Sequence, residues 1–196
     1  MQSKPRSAGW GDGRRDLMRP RVLVCAPLTQ SFVECRANSQ LRGFLEHIYS
    51  VLEDAHFSVV SAHRAENWGT LTSQLSSEEI ARRDLAWVAS CQALVAVLSV
   101  PGQREPWRTD GTFIEMGYAL GLAKPIVLVG DLVLYRSLLV QGLSSIGKHI
   151  RLFMPELVLD EPSELIHHLV SLPTIAGLCP TTQLSREDRQ WRKSML

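Results

Sequence analysis

Residues 93–100 read ALVAVLSV, eight consecutive residues of which only Ser99 is polar. A run this short and this uniformly apolar, with three valines, fits a strand buried on both faces. Burial on both faces requires helices above and below the strand, and the flanking sequence supplies them. Before it, Ser76–Ser90 opens with Ser76 and Glu79 at capping-box spacing and continues through Ile80, Leu85 and Val88 as a helix. After it, Gly102–Thr109 is polar and contains Pro106, which marks a loop. Thr112–Ala123 then predicts a helix, and Lys124-Pro125 closes it before a strand at Ile126–Val129.

The same alternation extends in both directions. Arg21–Pro27 (RVLVCAP) is a β-branched apolar run ended by Pro27, and predicts a buried first strand. Ser39–Ala55 places Leu41, Phe44, Leu45, Ile48, Val51 and Leu52 at steps of three and four, an amphipathic helix. Phe57–Ala62 (FSVVSA) predicts a second short strand. Downstream, Leu132–Leu143 and Pro162–Leu172 predict helices, with a weaker strand at Arg151–Leu159 interrupted by Pro155. Strand and helix alternate at least four times, which implies α/β architecture: one three-layer, Rossmann- or flavodoxin-like domain with a parallel sheet of about five strands. The expected organisation is a disordered lead over 1–20, a folded domain over 21–172 and a tail over 173–196.

Composition excludes several classes of function. The chain has 196 residues with 21 basic and 20 acidic side chains, a net charge of +1, which gives no support to a nucleic-acid surface or a basic membrane-docking face. No apolar stretch approaches the roughly 20 residues that a membrane-spanning helix needs. Met1–Pro20 is rich in Gly, Arg and Ser and lacks the apolar segment of a secretion signal. Cys25, Cys35, Cys91 and Cys179 are scattered without a CxxC pair, so reduced thiols and a cytoplasmic location are expected. The six histidines include no HExxH, and the adjacent His167 and His168 point to different helix faces. Neither a metal nor a cofactor is expected.

In a parallel sheet of this kind ligands bind at the carboxyl ends of the strands, which directs attention to the loops after Val24, Ala62, Val100 and Val129. Thr109–Ala119 (TDGTFIEMGYA) follows a buried strand and opens a helix. Gly111 permits an unusual backbone angle there, and the free N–H groups of Thr112 and its neighbours suit an anion. Glu115 is expected in the first turn of that helix, where acidic residues are stabilising for ordinary dipole reasons by about 0.3–1 kcal/mol. On spacing alone, both a structural and a functional role fit Glu115.

Two runs, RDLAWVASCQALVAVLSV (83–100) and TDGTFIEMGYALGLAKPIVLV (109–129), together resemble the nucleoside 2-deoxyribosyltransferase superfamily. Members carry an aspartate near the start of a helix, an apolar strand, a Gly-rich turn, then Glu-x-Gly-x-Ala and Gly-Lys-Pro. AHRAENWG (62–69) resembles the CMP and hydroxymethyl-CMP N-glycosidases of nucleoside-antibiotic pathways. RDLAW (83–87) resembles the 2′-deoxynucleoside 5′-monophosphate N-hydrolases. The likeness spans roughly Val22–Leu172 and implies that the folded domain is a catalytic one.

What the resemblance implies is covalent chemistry at C1′ of a nucleotide. Glu115 matches the family nucleophile, which forms a glycosyl ester as the base departs. Asp84 matches the aspartate that holds or protonates groups near the leaving base; the alternative, a solvated helix-surface acid, is the lesser reading given that match. Thr109 stands where the transferases have an aspartate for a sugar hydroxyl and the monophosphate hydrolases a serine for phosphate. A neutral hydroxyl favours a phosphate-bearing substrate, while Asp110, one residue later, can restore a carboxylate by a one-residue shift. Ser137, five residues before Gly142, matches a serine that reaches phosphate from the neighbouring subunit; a helix-surface serine fits as well. In Pro27-Leu28-Thr29-Gln30, after the first strand, Thr29 replaces the arginine of the hydrolases, with Arg36, Arg42 or Arg64 as possible substitutes.

His63, Arg64 and Trp68 fall in the expected loop after the second strand, either against the base or, for Trp68, packed over the sheet edge. Trp87, Met116 and the cysteines fit core positions, and Gln92 replaces a family aspartate as a structural change. The resulting expectation is a cytoplasmic, homodimeric N-glycosidase that hydrolyses a nucleoside 5′-monophosphate, a pyrimidine such as CMP favoured, and supplies free base to a specialised pathway. A base-exchanging deoxyribosyltransferase and a non-catalytic nucleotide sensor are the competing expectations.

Overall fold

Strand β1 (Arg21–Cys25) pairs in parallel on both sides, with Val22 opposite Val59 of β2 (Ser58–Val60) and opposite Ala93 of β3 (Ala93–Val97). Beyond β3 lie β4 (Ile126–Val129) and β5 (Ile150–Phe153), also parallel, giving the order β2-β1-β3-β4-β5. The computed structural model describes residues 19–28, 39–146, 149–176 and 178. Most of the expected disordered lead and most of the C-terminal tail lie outside them, as do Thr29 and Arg36.

Helices cover both faces. In chain order they are α1 (Ser39–Asp54), α2 (Ala62–Ala65), α3 (Ser77–Ser90), α4 (Asp110–Gly121), α5 (Leu138–Gly142), α6 (Pro155–Asp160), α7 (Pro162–Ser171) and α8 (Pro173–Ala176). Alternate strand residues feed two separate cores. Val22, Val24, Val95, Val97, Val127 and Val129 meet α1, through Leu41, Phe44, Leu45, Ile48, Tyr49 and Leu52, and α7, through Leu165 and Leu169. Leu23, Cys25, Leu94, Ala96, Ile126 and Leu128 meet Val88 of α3, with Met116 and Ala119 of α4. This two-sided burial explains why β3 and β4 read as unbroken apolar runs. The tail also contributes, since Ile175 of α8 is buried in the first core.

Several boundaries differ from expectation. Strand β3 stops at Val97, although the chain stays buried through Val100. Leu132–Leu143 is not one helix. Asp131 accepts a hydrogen bond from the Val133 N–H at 3.0 Å and starts a 3-10 turn, after which Tyr135 is drawn inward and donates to the Leu98 carbonyl at 2.7 Å. Ser137 then restarts the chain as the N-cap of α5. Arg151–Leu159 is likewise divided: β5 ends at Phe153 and Pro155 opens α6, a position its fixed φ favours. No helix among the described residues is long and apolar enough to cross a membrane.

Candidate active site

From β1 the sheet continues to β2 on one side and to β3 on the other, with the β1–β2 connection α1 on one face and the β2–β3 connection α3 on the other, so a crevice opens at the carboxyl end of β1. A cavity of about 660 Å³ occupies that place. Its floor is Val24–Leu28 from the end of β1. Ala62 and His63 of α2 form one wall, Thr72, Ser77, Ile80, Ala81, Asp84 and Leu85 a second, and residues 108–112 with Ile114 and Glu115 a third.

Helix α4 begins at Asp110, two residues earlier than expected, which places Glu115 in the second turn rather than the first. Met116 and Ala119 are buried in the core while Ile114 and Tyr118 face outward, and Glu115, on the buried side one turn before Ala119, lines the cavity. Burial is the main cause that pushes its carboxyl up to about 7, and the negative charge of Asp84 adds to it. The Cys25 thiol, which donates a hydrogen bond to Glu115, and the Arg83 guanidinium act the other way. Cys25 itself is raised well above the usual thiol range by burial and then by Glu115, so it serves as a neutral donor rather than a thiolate.

Asp84 comes to the same cavity from α3, whose start is fixed by the expected capping box at Ser76 and Glu79. Its carboxyl is also raised, chiefly by burial, with Arg83 opposing the shift through a 2.8 Å hydrogen bond. The cavity therefore presents two carboxylates from different helices that compete for one proton.

Thr109 is buried, its hydroxyl without a hydrogen bond of good geometry, and it lies beside the Tyr135 phenol, which burial pushes up to about 12. Asp110 instead sits at the rim, its carboxylate exposed and held by Arg108 at 2.6 Å. The unusual backbone angle expected of Gly111 is absent. Gly111 is an ordinary helical residue, and the positive-φ glycines among the described residues are Gly69 and Gly102. What Gly111 gives is open space, because a Cβ there would meet nothing within 4 Å.

His63, Arg64 and Trp68 do not share one loop. His63 and Arg64 lie on α2, and the three separate by partner. His63 lines the cavity, 1% exposed, with neither ring nitrogen in a hydrogen bond of good geometry; burial pulls its pKa down to about 4, so it is a neutral imidazole. Arg64 turns to α1, where it pairs with Glu46 at 3.0 Å and with Glu53 and lies over the Tyr49 ring at 4.2 Å. Trp68 is buried against Tyr49 and His63, with Arg42 above it at 4.8 Å. Neither Arg64 nor Trp68 lines the cavity, and Ser137 stands outside it as a helix cap. Pro27 and Leu28 do line it.

Three lining residues carried no sequence signal of their own: Cys25, Thr72 and Arg108. Among the described residues no group of three or more His, Cys, Asp or Glu side chains is arranged to hold a metal ion.

The sequence profile of nucleoside 2-deoxyribosyltransferases matches residues 36–138, which include α1 to α4, both cavity carboxylates and Thr109. The chain belongs to this family. Among solved structures, a CMP N-glycosidase of Clostridium botulinum, BcmB, is similar with a TM-score of 0.52 and 18% identity, covering 76% of this chain and 98% of that one. The solution structure of BlsM is similar with a TM-score of 0.58 and 23% identity, covering 78% and 92%. At these identities the likeness establishes a shared fold. No curated protein matches the sequence. The Glu-x-Gly-x-Ala run that carries the family resemblance reads here Glu115-Met116-Gly117-Tyr118-Ala119.

Proposed function

We propose that this protein hydrolyses the N-glycosidic bond of a nucleoside 5′-monophosphate, with a CMP-like pyrimidine nucleotide favoured, through a covalent ester on Glu115. The observation that carries this reading is the pairing of Glu115 with Asp84 on two walls of one cavity, in a chain of the nucleoside 2-deoxyribosyltransferase family. The similar fold of a CMP N-glycosidase supports the choice of substrate.

The active form of the pair holds one proton. Glu115, ionised, attacks C1′ from below while the C1′–N bond breaks; the electron pair leaves with the base, which takes a proton from Asp84. The oxocarbenium-like charge that develops is stabilised by the carboxylate beneath the sugar. Water then attacks C1′, gives its proton to Asp84, and the ester opens to return Glu115 as a carboxylate with release of the sugar 5-phosphate.

Three groups meet the phosphate in this reading: the free N–H groups at the start of α4, the unpartnered Thr109 hydroxyl, and Arg108, the sole arginine or lysine among the described lining residues. The protein works as a homodimer. Ile114, Tyr118 and Leu122 recur at one-turn spacing along an exposed face of α4, and Leu138 and Leu139 of α5 are also exposed. Ser137, next to Leu138, then reaches the partner's phosphate.

Incubation with a panel of ribo- and deoxyribonucleoside monophosphates, with released base scored by chromatography, tests the proposal. Free base from CMP or its deoxy analogue is expected. Exchange between two added bases without free sugar phosphate would make the protein a transferase, and binding without cleavage a sensor.

A further inference from the structure

Glu66 is a carboxylate with no exposed surface, placed at the end of α2 where the chain turns through Asn67 and Trp68, both at positive φ. A fully buried carboxylate is costly unless it is paired and hydrogen-bonded. Thr72 donates its hydroxyl to one oxygen of Glu66, and Arg83 donates Nη2 to the other at 2.5 Å. The same guanidinium donates Nε to Asp84 at 2.8 Å and stacks on the Trp87 ring at 4.6 Å. Arg83 is thus held by Glu66 and by the Trp87 ring and presents its Nε edge to a cavity carboxylate. Thr72 and Asp84 both line the cavity, so the chain Thr72–Glu66–Arg83–Asp84 leaves the cavity wall and returns to it.

We propose that Arg83 is a positioning residue, locked in place by buried Glu66, which fixes the orientation and charge of Asp84 opposite Glu115. The inference rests on the proposed function for its meaning in catalysis, but its physical content does not depend on turnover. The arrangement repeats the logic of a base oriented by a third group, with a guanidinium between two carboxylates. The charged and titratable groups around Asp84 are Arg83 on its own helix, Glu66 from the turn after α2 and Glu115 from α4. Cys25 of β1 reaches Glu115, while His63, Arg108 and Asp110 line the same cavity. Glu66 raises and Arg83 lowers the proton affinity of Asp84.

The two charges act on Asp84 with opposite signs, and this separates positioning from mere support. Carbon-13 NMR titration of the Asp84 carboxyl is carried out on the full chain and on Arg83→Gln and Glu66→Gln, beside kcat/KM for CMP against pH. The expected result is an Asp84 midpoint that moves up by about half a unit or more in Arg83→Gln and down in Glu66→Gln, with the acid limb of the rate following each. Arg83→Lys, which keeps the charge and loses the fork, restores the midpoint without restoring kcat. Glu66→Gln is isosteric, so the test holds if Arg83→Gln fails to fold. An Asp84 midpoint unchanged in Glu66→Gln, with any rate loss equal at every pH, overturns the inference. If the wild-type protein cleaves no nucleotide while the midpoints move as stated, the functional proposal fails and the electrostatic assignment stands.

Discussion

The carboxylates of Asp84 and Glu115 reach one cavity from consecutive helices, and the charge of Asp84 is one of the causes that push Glu115 up to about 7. Two acids that share one proton between them are what a two-step displacement at an anomeric carbon requires. Each consequence of that pairing can be measured.

A reaction carried by the singly protonated pair has a bell-shaped pH profile. The acid limb reports loss of the first proton from the Asp84–Glu115 pair and the alkaline limb, near pH 7, loss of the last, the reactive form between them being the one with the proton on Asp84 and Glu115 ionised. Asp84→Asn lowers kcat by roughly 10²–10⁴-fold, the usual size of general acid catalysis, and removes the alkaline limb. A limb shared by both proteins would belong to the substrate phosphate. Persistence of the full wild-type profile in Asp84→Asn contradicts the acid role.

Glu115 also links activity to stability. Its carboxyl binds a proton more tightly in the folded chain than in the unfolded one, so it costs nothing below about pH 4.5 and destabilises progressively as pH rises through 7. Glu115→Gln is therefore expected to match the wild type at pH 4 and to exceed it at pH 8 by roughly 2–3 kcal/mol, less any screening at the cavity mouth. Urea denaturation at the two pH values gives the comparison. Equal stability at pH 8 would mean that Glu115 is solvated.

Cys25 stabilises the ionised form of Glu115 by donating its thiol hydrogen. Cys25→Ala removes that donor, so Glu115 titrates above 7 and the alkaline limb of the rate moves up with it. An unmoved limb would return Cys25 to a packing role only.

Arg108→Ala separates recognition of phosphate from chemistry. KM for CMP is expected to rise about tenfold or more while KM for cytidine stays level, because a hydrogen bond to a charged group contributes about 1.5–3 kcal/mol. A parallel change for both substrates removes Arg108 from the phosphate site.

Tyr118→Glu places a charge on the exposed apolar face of α4. Sedimentation analysis is expected to show a dimer for the wild type and a monomer for the variant, with activity lost together with the dimer. A wild-type monomer that turns over contradicts the shared-site account.

The order of elements was legible because each buried strand here is nearly free of polar residues, and because two helices announce their ends, α3 through Ser76 and Glu79 and α7 through Pro162. Boundaries set by tertiary contacts were not. Tyr135 breaks the helix expected over Leu132–Leu143 because its hydroxyl finds the Leu98 carbonyl across the sheet, 37 residues away in sequence. At the site, Glu115 and Asp84 could be picked out by the motifs around them, and their common cavity could not. Cys25 was expected as a small apolar residue of β1, and nothing local distinguishes a thiol that faces a carboxylate from one that faces a leucine. Glu66 falls inside AHRAENWG, but nothing in that run marks its burial, which depends on Arg83, 17 positions later, and on a turn with two residues at positive φ. Arg64, a candidate substitute for the arginine absent at Thr29, is engaged with Glu46 and Glu53 on α1.

The central claim is that Glu115 forms a bond to the sugar. Mass spectrometry of the intact protein, quenched during turnover of the 2-deoxy-2-fluoro analogue of CMP, tests it most directly, since the fluorine slows release of the ester by destabilising the oxocarbenium-like state. The account predicts a mass increase of one fluorinated sugar phosphate, mapped to the peptide that contains Glu115 and absent from Glu115→Gln. Base release by Glu115→Gln at the wild-type rate, with no adduct on either protein, would contradict it.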